Sequence, residues 1–190
     1  MLVDSACVAC DGDGGPVCPD CASALTPVGA VDVDGLDRAW ALMAYAGPAR
    51  ELIRGLKYTN RRAALAVLAT AAARLVDEAV AVVAWVPASP AHRRERGYDQ
   101  GQLLAARVAR ALGRPSRSLL IRSGERAQTG LDRSDRLVGP TLGPRRQVTG
   151  TVLVVDDVLT TGGSLAAAGR ALRAAGATRV LGLVLAATPG

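Results

Sequence analysis

Between Thr151 and Ala175 the pattern of apolar and polar positions changes three times. Val152, Leu153, Val154 and Val155 are apolar at every position, as in a strand covered on both faces of a parallel sheet. Adjacent carboxylates, Asp156 and Asp157, end that run. A turn rich in hydroxyls and glycine follows, Thr160-Thr161-Gly162-Gly163-Ser164, and leads into an Ala/Leu-rich helix predicted over 162–175. The same alternation recurs along the chain. Strands are predicted at 39–46, 80–86, 117–122, 151–156 and 179–187, and helices at 48–57, 61–79 and 100–112. The helix at 61–79 repeats apolar residues at helical spacing, through Leu65, Leu68, Ala72 and Leu75. Strands alternating with helices predict an α/β fold with a mostly parallel, three-layer sheet.

The remaining segments lack such periodicity. Residues 1–25 hold every cysteine and read as a separate small module, 26–38 as a Pro/Gly/Asp-rich linker, and 39–190 as the α/β domain. Residues 123–150 are rich in Arg, Gly and Pro and read as a mobile flap over a crevice.

The strand–acid–turn–helix order carries chemistry. Open α/β sheets place ligands at the C-terminal ends of their strands. Glycines at 162 and 163 let backbone approach a ligand closely. The N–H groups of the helix start, with the hydroxyls of Thr160, Thr161 and Ser164, suit a phosphate dianion. Asp156 and Asp157 would repel that phosphate and fit better as acceptors for two neighbouring ribose hydroxyls. Together these groups describe a site for a ribose 5-phosphate. The turn contains no lysine, which excludes a Walker A loop.

A second loop is cationic. The strand at 80–86 runs into Pro87-Ala88-Ser89-Pro90, and then His92, Arg93, Arg94 and Arg96 fall within five residues. Guanidinium groups meet phosphate oxygens in bidentate fashion and stay charged. With Ser89 they form a candidate diphosphate site. The wider charge pattern agrees in sign: the net charge is +6, but residues 1–40 carry seven acids and one Arg, whereas 91–150 carry thirteen Arg and five acids. That basic middle is either an ordinary solvated surface or a site for a polyanion, pyrophosphate or single-stranded nucleic acid.

The cysteines form two Cys-x-x-Cys pairs, Cys7/Cys10 and Cys18/Cys21, separated by seven residues. Four thiolates so spaced can occupy the corners of a tetrahedron, which points to a structural Zn²⁺, with an iron–sulfur site or a redox pair as alternatives. Asp4, Asp11, Asp13 and Asp20 surround them, so direct nucleic-acid contact by this knuckle is not expected. No charge-free stretch reaches membrane-spanning length and the acidic start is unlike a signal peptide. The expectation is a cytoplasmic protein that is not an integral membrane protein.

The Asp156-Asp157…Thr160–Ser164 segment resembles the signature of the type I phosphoribosyltransferases, which bind phosphoribosyl pyrophosphate (PRPP). The resemblance implies a type I phosphoribosyltransferase-like fold, here preceded by a zinc knuckle or ribbon. It also implies Asp156 and Asp157 on the ribose hydroxyls, residues 160–164 on the 5-phosphate, and Mg²⁺ on the diphosphate. Pro-x-x-Pro, the cationic stretch, Arg96-Gly97-Tyr98-Asp99-Gln100, Lys57-Tyr58, and Gln128-Thr129-Gly130-Leu131 with Arg136 narrow the likeness to the ComF family. Those proteins are relatives of the phosphoribosyltransferases linked to competence and DNA uptake, and they often begin with a zinc module.

Two departures concern the diphosphate. Tyr98-Asp99 stands where that family usually has Phe-Asn, and the Asn usual after the arginine matched by Arg136 is missing. An acid at 99 weakens anion binding unless it pairs with an arginine or caps the next helix. The leading reading is a PRPP-binding protein that transfers a phosphoribosyl group if it is catalytic, a reaction needing no nucleophilic side chain. The alternative is a non-enzymatic DNA-uptake factor that grips single-stranded DNA or a nucleotide beside a helicase or channel. A transcriptional regulator reusing the fold ranks last, because no helix-turn-helix pattern precedes the domain.

Overall fold

The computed structural model describes residues 6–58, 62–122 and 141–189. Its main sheet has five strands in the order β1-β2-β7-β6-β3. These are β1 (Pro27–Val31), β2 (Arg38–Ala44), β3 (Val82–Trp85), β6 (Thr151–Leu159) and β7 (Arg179–Ala187). β2, β7, β6 and β3 run parallel to one another, and β1 adds an antiparallel edge. The helices are α1 (Pro19–Ser23), α2 (Pro48–Tyr58), α3 (Arg62–Ala73), α4 (Pro90–Arg96), α5 (Gln100–Leu112) and α6 (Gly163–Ala174). A second, two-stranded antiparallel sheet pairs β4 (Leu120–Arg122) with β5 (Leu142–Pro144).

The centre of the sheet is covered on both faces, which is why β6 and β7 lack a polar alternate. Successive strand residues point to opposite sides. On β6, Leu153 and Val155 join the core made with Leu65 and Leu68 of α3 and Leu104 and Val108 of α5. Val152 and Val154 join the opposite core with Leu165, Ala168 and Leu172 of α6. All four β6 residues are fully buried. α5 and α6 therefore lie on opposite faces, and both begin at the C-terminal edge of the parallel strands.

Glycine matters where backbones crowd. A Cβ at Gly182 of β7 would stand 2.6 Å from Leu36 Cδ1, and one at Gly169 of α6 would stand 2.7 Å from the Gly35 carbonyl oxygen. The turn before β2 fits against α6 only because both positions lack side chains.

Five expected elements change. The expected linker contains β1, whose residues are mostly exposed and so show no burial periodicity. Pro27 is tolerated at its start because an edge strand need not donate every N–H. The helix expected at 61–79 ends at Ala73, and its last turn tightens, Leu75 N–H donating to Ala72 O at 3.0 Å and Val76 N–H to Ala73 O at 3.2 Å. The cationic loop contains α4. β6 continues three residues beyond the strand end expected at 156, carrying both acids within the strand. β5 lies in the expected flap, whose residues 123–140 are outside the described residues, as are Gln128, Thr129, Gly130, Leu131 and Arg136.

Candidate functional site

The C-terminal ends of β3 and β6 open into a cleft of about 330 Å³, and Asp156, Asp157, Thr160 and Ser164 all line it. Both acids are half-buried. Asp156 Oδ1 accepts a hydrogen bond from the Asp157 N–H at 2.9 Å, which fixes the first carboxylate against its own strand. The turn is held from behind by Thr188: its N–H donates to Leu159 O at 2.9 Å and its hydroxyl to Thr160 O at 3.3 Å. Gly162 takes φ 77°, a left-handed conformation, as the N-cap of α6, and no side chain caps that helix. The first N–H groups of α6 are thus left to other acceptors, the condition for an anion site.

The turn divides two clefts. Thr160 and Ser164 face the acid pair, whereas Thr161, Gly162 and Gly163, with Thr160, line a neighbouring cleft of about 510 Å³. Asp32, Asp34 and Arg170 complete that second cleft. It is larger, but it lacks the acid pair and presents two carboxylates of its own, so the smaller cleft is the better candidate for a phosphosugar.

The start of α5 forms another wall of the smaller cleft, through Asp99, Gln100 and Gly101, with Ser89 from the loop after β3. Asp99 is the N-cap of α5: Oδ1 accepts from the Gln102 N–H at 3.3 Å and Oδ2 from the Ala88 N–H at 3.1 Å. Its charge is therefore committed to backbone donors and to the positive end of a helix. Tyr98 donates its hydroxyl to Leu56 O at 2.9 Å, tying the same loop to α2. Gln100 is only 4 % exposed, and neither amide atom has a partner among the described residues. Such an orphaned group costs about 1–3 kcal/mol.

The expected diphosphate set is distributed unevenly. Ser89 lines the cleft with the acids. Arg93 lines an adjoining cleft of about 320 Å³ that also contains Arg122, Arg145 and Ser118. Arg94 is exposed on α4, and the side chains of His92 and Arg96 lie outside the described residues. The two clefts share Pro87, Ala88, Asp99 and Arg122. Arg122 Nε donates to Pro87 O at 3.1 Å, and Arg145 reaches Ser118 Oγ at 3.4 Å. Arg122, Arg145, Gln100 and Tyr45 were not expected as site residues. Gln100 belongs to a recognisable motif, but Arg122 and Arg145 come together only because β4 pairs with β5, a contact across the undescribed segment.

The cysteines converge. The ligand atoms of Cys7, Cys10, Cys18 and Cys21 lie within 4.8 Å of one another, and Cys10 Sγ is 3.7 Å from Cys18 Sγ. Four sulfurs around a tetrahedral zinc at about 2.3 Å stand about 3.8 Å apart, so the set can hold such an ion. Backbone N–H groups of Cys18 and Cys21 donate to Cys7 Sγ and Cys18 Sγ, each at 3.4 Å. Burial pushes the Cys7 thiol up, but backbone donors from Cys18, Ala9 and Cys10 outweigh it and bring the group down to about 6. At Cys21 burial and the neighbouring sulfurs push the thiol well up. Among the described residues no helix is long and apolar enough to cross a membrane.

Comparison with known proteins finds a family over just under half of the chain. Residues 99–190 match the family model for the phosphoribosyl transferase domain. No curated protein matches the chain. Among solved structures, the allosteric regulatory enzyme of purine biosynthesis is 25% identical, over 65% of this chain and 26% of its own, with a TM-score of 0.49. Glutamine PRPP amidotransferase from B. subtilis, complexed with ADP and GMP, is 26% identical over 64% and 26%, with a TM-score of 0.47. Orotate phosphoribosyltransferase from Aeropyrum pernix is 24% identical over 70% and 63%, with a TM-score of 0.39. The chain spans about a quarter of the length of the first two. Residues 99–190, which include the acid pair, the turn and the start of α5, are thus similar to the phosphoribosyl transferase domain.

Proposed function

We propose that the cleft at the ends of β3 and β6 binds PRPP. The observation that carries this reading is the shared cleft: Asp156 and Asp157 on one strand, and Thr160 and Ser164 at an uncapped helix start, line one space of about 330 Å³. The acids accept from the two ribose hydroxyls. The hydroxyls of Thr160 and Ser164 and the first N–H groups of α6 hold the 5-phosphate. Ser89 and the start of α5 lie toward the diphosphate, with Arg122 and the adjoining Arg93 supplying positive charge. Mg²⁺ travels with the diphosphate and neutralises part of its charge. In a transfer reaction the bond from C1 to the diphosphate oxygen breaks, pyrophosphate leaves with the electron pair, and a nucleophile bonds to C1. The protein's share is positioning and charge stabilisation. The cysteine set holds a structural Zn²⁺, because a segment this short cannot build a core of its own.

A second reading is favoured by one observation, the three arginines of the adjoining cleft. In that reading the protein is a ComF-type DNA-uptake factor and the arginines grip single-stranded DNA. Calorimetric titration separates the two. Saturable binding of PRPP with Mg²⁺ is the expected result. Absence of PRPP binding, together with binding of an unstructured oligonucleotide that weakens steeply with salt, would favour the second reading.

A further inference from the structure

The cysteine sulfurs are not equally accessible. Cys7, Cys18 and Cys21 are at most 8 % exposed, whereas Cys10 lies at the surface. Its exposure is built into the loop. Cys7 N–H donates to Gly12 O at 2.7 Å, Asp11 N–H to Cys7 O at 2.9 Å, and Val8 N–H to Pro16 O at 3.1 Å, so backbone bonds hold residues 7–16 together. Gly12 stands beside the sulfur. A Cβ there would lie 3.4 Å from Cys10 Sγ, so the absence of a side chain leaves that approach open. A module that only holds a metal is served best by buried ligands, as its other cysteines are.

The thiolate is the form of cysteine that reacts with oxidants, and reaction follows exposure. A bound metal holds every ligand as thiolate, so burial is what separates them. Cys10 meets a reagent from solvent, and the others are shielded. Oxidation also needs a second sulfur within reach. Cys10 Sγ is 3.7 Å from Cys18 Sγ, and side-chain rotation closes such a gap to the disulfide length of about 2.05 Å. Asp11 and Asp13, both exposed, follow Cys10 in the loop and repel anionic reagents. The reagent that fits is a small, neutral two-electron oxidant, a hydroperoxide.

We propose that Cys10 is the oxidation site of the cysteine module, and that it closes a disulfide with Cys18 and so releases the metal. The proposal rests on the zinc reading above. The Cys10 thiolate attacks one peroxide oxygen, the O–O bond breaks, and hydroxide leaves with the electron pair to give a sulfenic acid. The Cys18 thiolate then attacks that sulfur, the S–O bond breaks, and a second hydroxide leaves. Both sulfurs together lose two electrons, and the peroxide gains them and ends as water after protonation. Cys7 and Cys21 remain, and a pair of thiolates is half of a tetrahedral structural site. Val8, between Cys7 and Cys10, packs in the core with Trp40 and Leu52, so release of the metal reaches the sheet.

The test takes the full chain, purified with reductant and zinc, measures its metal content, and then adds hydrogen peroxide. A chromogenic chelator reads zinc release, peptide mapping reads the first disulfide formed, and thermal melting reads stability. Gly12→Val is the companion variant. Gly12 has no positive φ, so a side chain suits its backbone, and valine shields the sulfur without removing a ligand. In the wild type the expected result is zinc release together with a Cys10–Cys18 bond and a melting temperature lower by several degrees, all reversed by reductant and zinc. Zinc-loaded Gly12→Val should release the metal several-fold more slowly. A first disulfide within either Cys-x-x-Cys pair, or zinc that stays bound under peroxide, would overturn this inference and leave the zinc reading standing. Release from Gly12→Val as fast as from the wild type would also overturn it. A chain that takes up no zinc under reducing conditions removes the zinc reading and this inference with it.

Discussion

Asp99 shows how one side chain decides between two electrostatic outcomes. A carboxylate beside a diphosphate site is unfavourable if it faces the ligand and useful if it caps a helix. Here both oxygens accept from backbone, at Gln102 and Ala88, so the acid holds α5 to the loop that carries Ser89. Asp99→Ala should cost about 1 kcal/mol of stability and lower the melting temperature, whereas Asp99→Asn, which keeps the cap on the Gln102 N–H but loses the acceptor for the Ala88 N–H, should melt between the two. A melt of Asp99→Ala equal to wild type would show that the cap is not needed. The residue type and the following helix were enough to name capping as one option. They were not enough to choose it, because the second donor, Ala88, lies eleven residues away in sequence. The same holds at Gln100, where burial and the missing partners depend on Gly101 meeting β3.

At the scale of elements, the β6–turn–α6 unit was the most legible part of the chain, because its information is local. Four consecutive buried apolar residues, two acids and a glycine turn occupy one stretch and need no distant partner to be recognised. Helix α5 was legible for the same reason, with a capping Asp before it and Gly113 at φ 64° after it. β1 and β5 were not, since exposed edge residues show no alternation and a short strand declares itself only through its partner; β4 lies within the strand expected at 117–122, but its pairing with β5 was not legible. Asp37 is another element-level feature without a sequence signature. Its Oδ2 accepts from the Val180 N–H at 2.7 Å and lies 2.9 Å from Arg173 Nη2, joining the approach to β2, the end of α6 and the start of β7. The Val180 N–H, and after it Arg173, hold this largely exposed carboxyl below the usual carboxylate range against the smaller opposing effect of burial. A depressed value in the folded state means that the stabilisation is present at neutral pH. It is lost as the pH falls from the ordinary carboxylate value through the depressed one. Asp37→Asn should lower stability at neutral pH by no more than about 1 kcal/mol, because solvent screens an exposed pair, and the gap to wild type should narrow on acidification. Chemical denaturation at several pH values measures both, and a gap that widens in acid would contradict the assignment.

At the scale of the whole molecule, the cysteine knuckle and the α/β sheet share a core. Val8, between the first two cysteines, is 8 % exposed and belongs to the cluster that includes Trp40, Met43 and Leu52, with Ala9, Val17 and Leu25 packed against it. Metal binding is folding energy for such a small unit, and through Val8 that energy reaches β2 and α2. With zinc held as proposed, a chelator or Cys7→Ser should lower the melting temperature of the entire domain by several degrees, roughly what 1–2 kcal/mol produces at this size. An unchanged melt would mean that the knuckle is an independent appendage. The spacing of the cysteines made their convergence legible, but not the docking of Val8, which depends on the packed fold. The division of the turn between two clefts was likewise invisible, because Asp32, Asp34 and Arg170 come from distant parts of the chain.

The acid pair and the helix start on one cleft carry the PRPP reading. Calorimetric titration of Mg²⁺–PRPP into the wild type and into Asp156→Asn/Asp157→Asn tests that arrangement most directly. Loss of charge-assisted hydrogen bonds to the ribose hydroxyls should weaken binding about tenfold or more, while the variant melts as the wild type does. An equal dissociation constant in the two proteins would contradict the placement of the sugar.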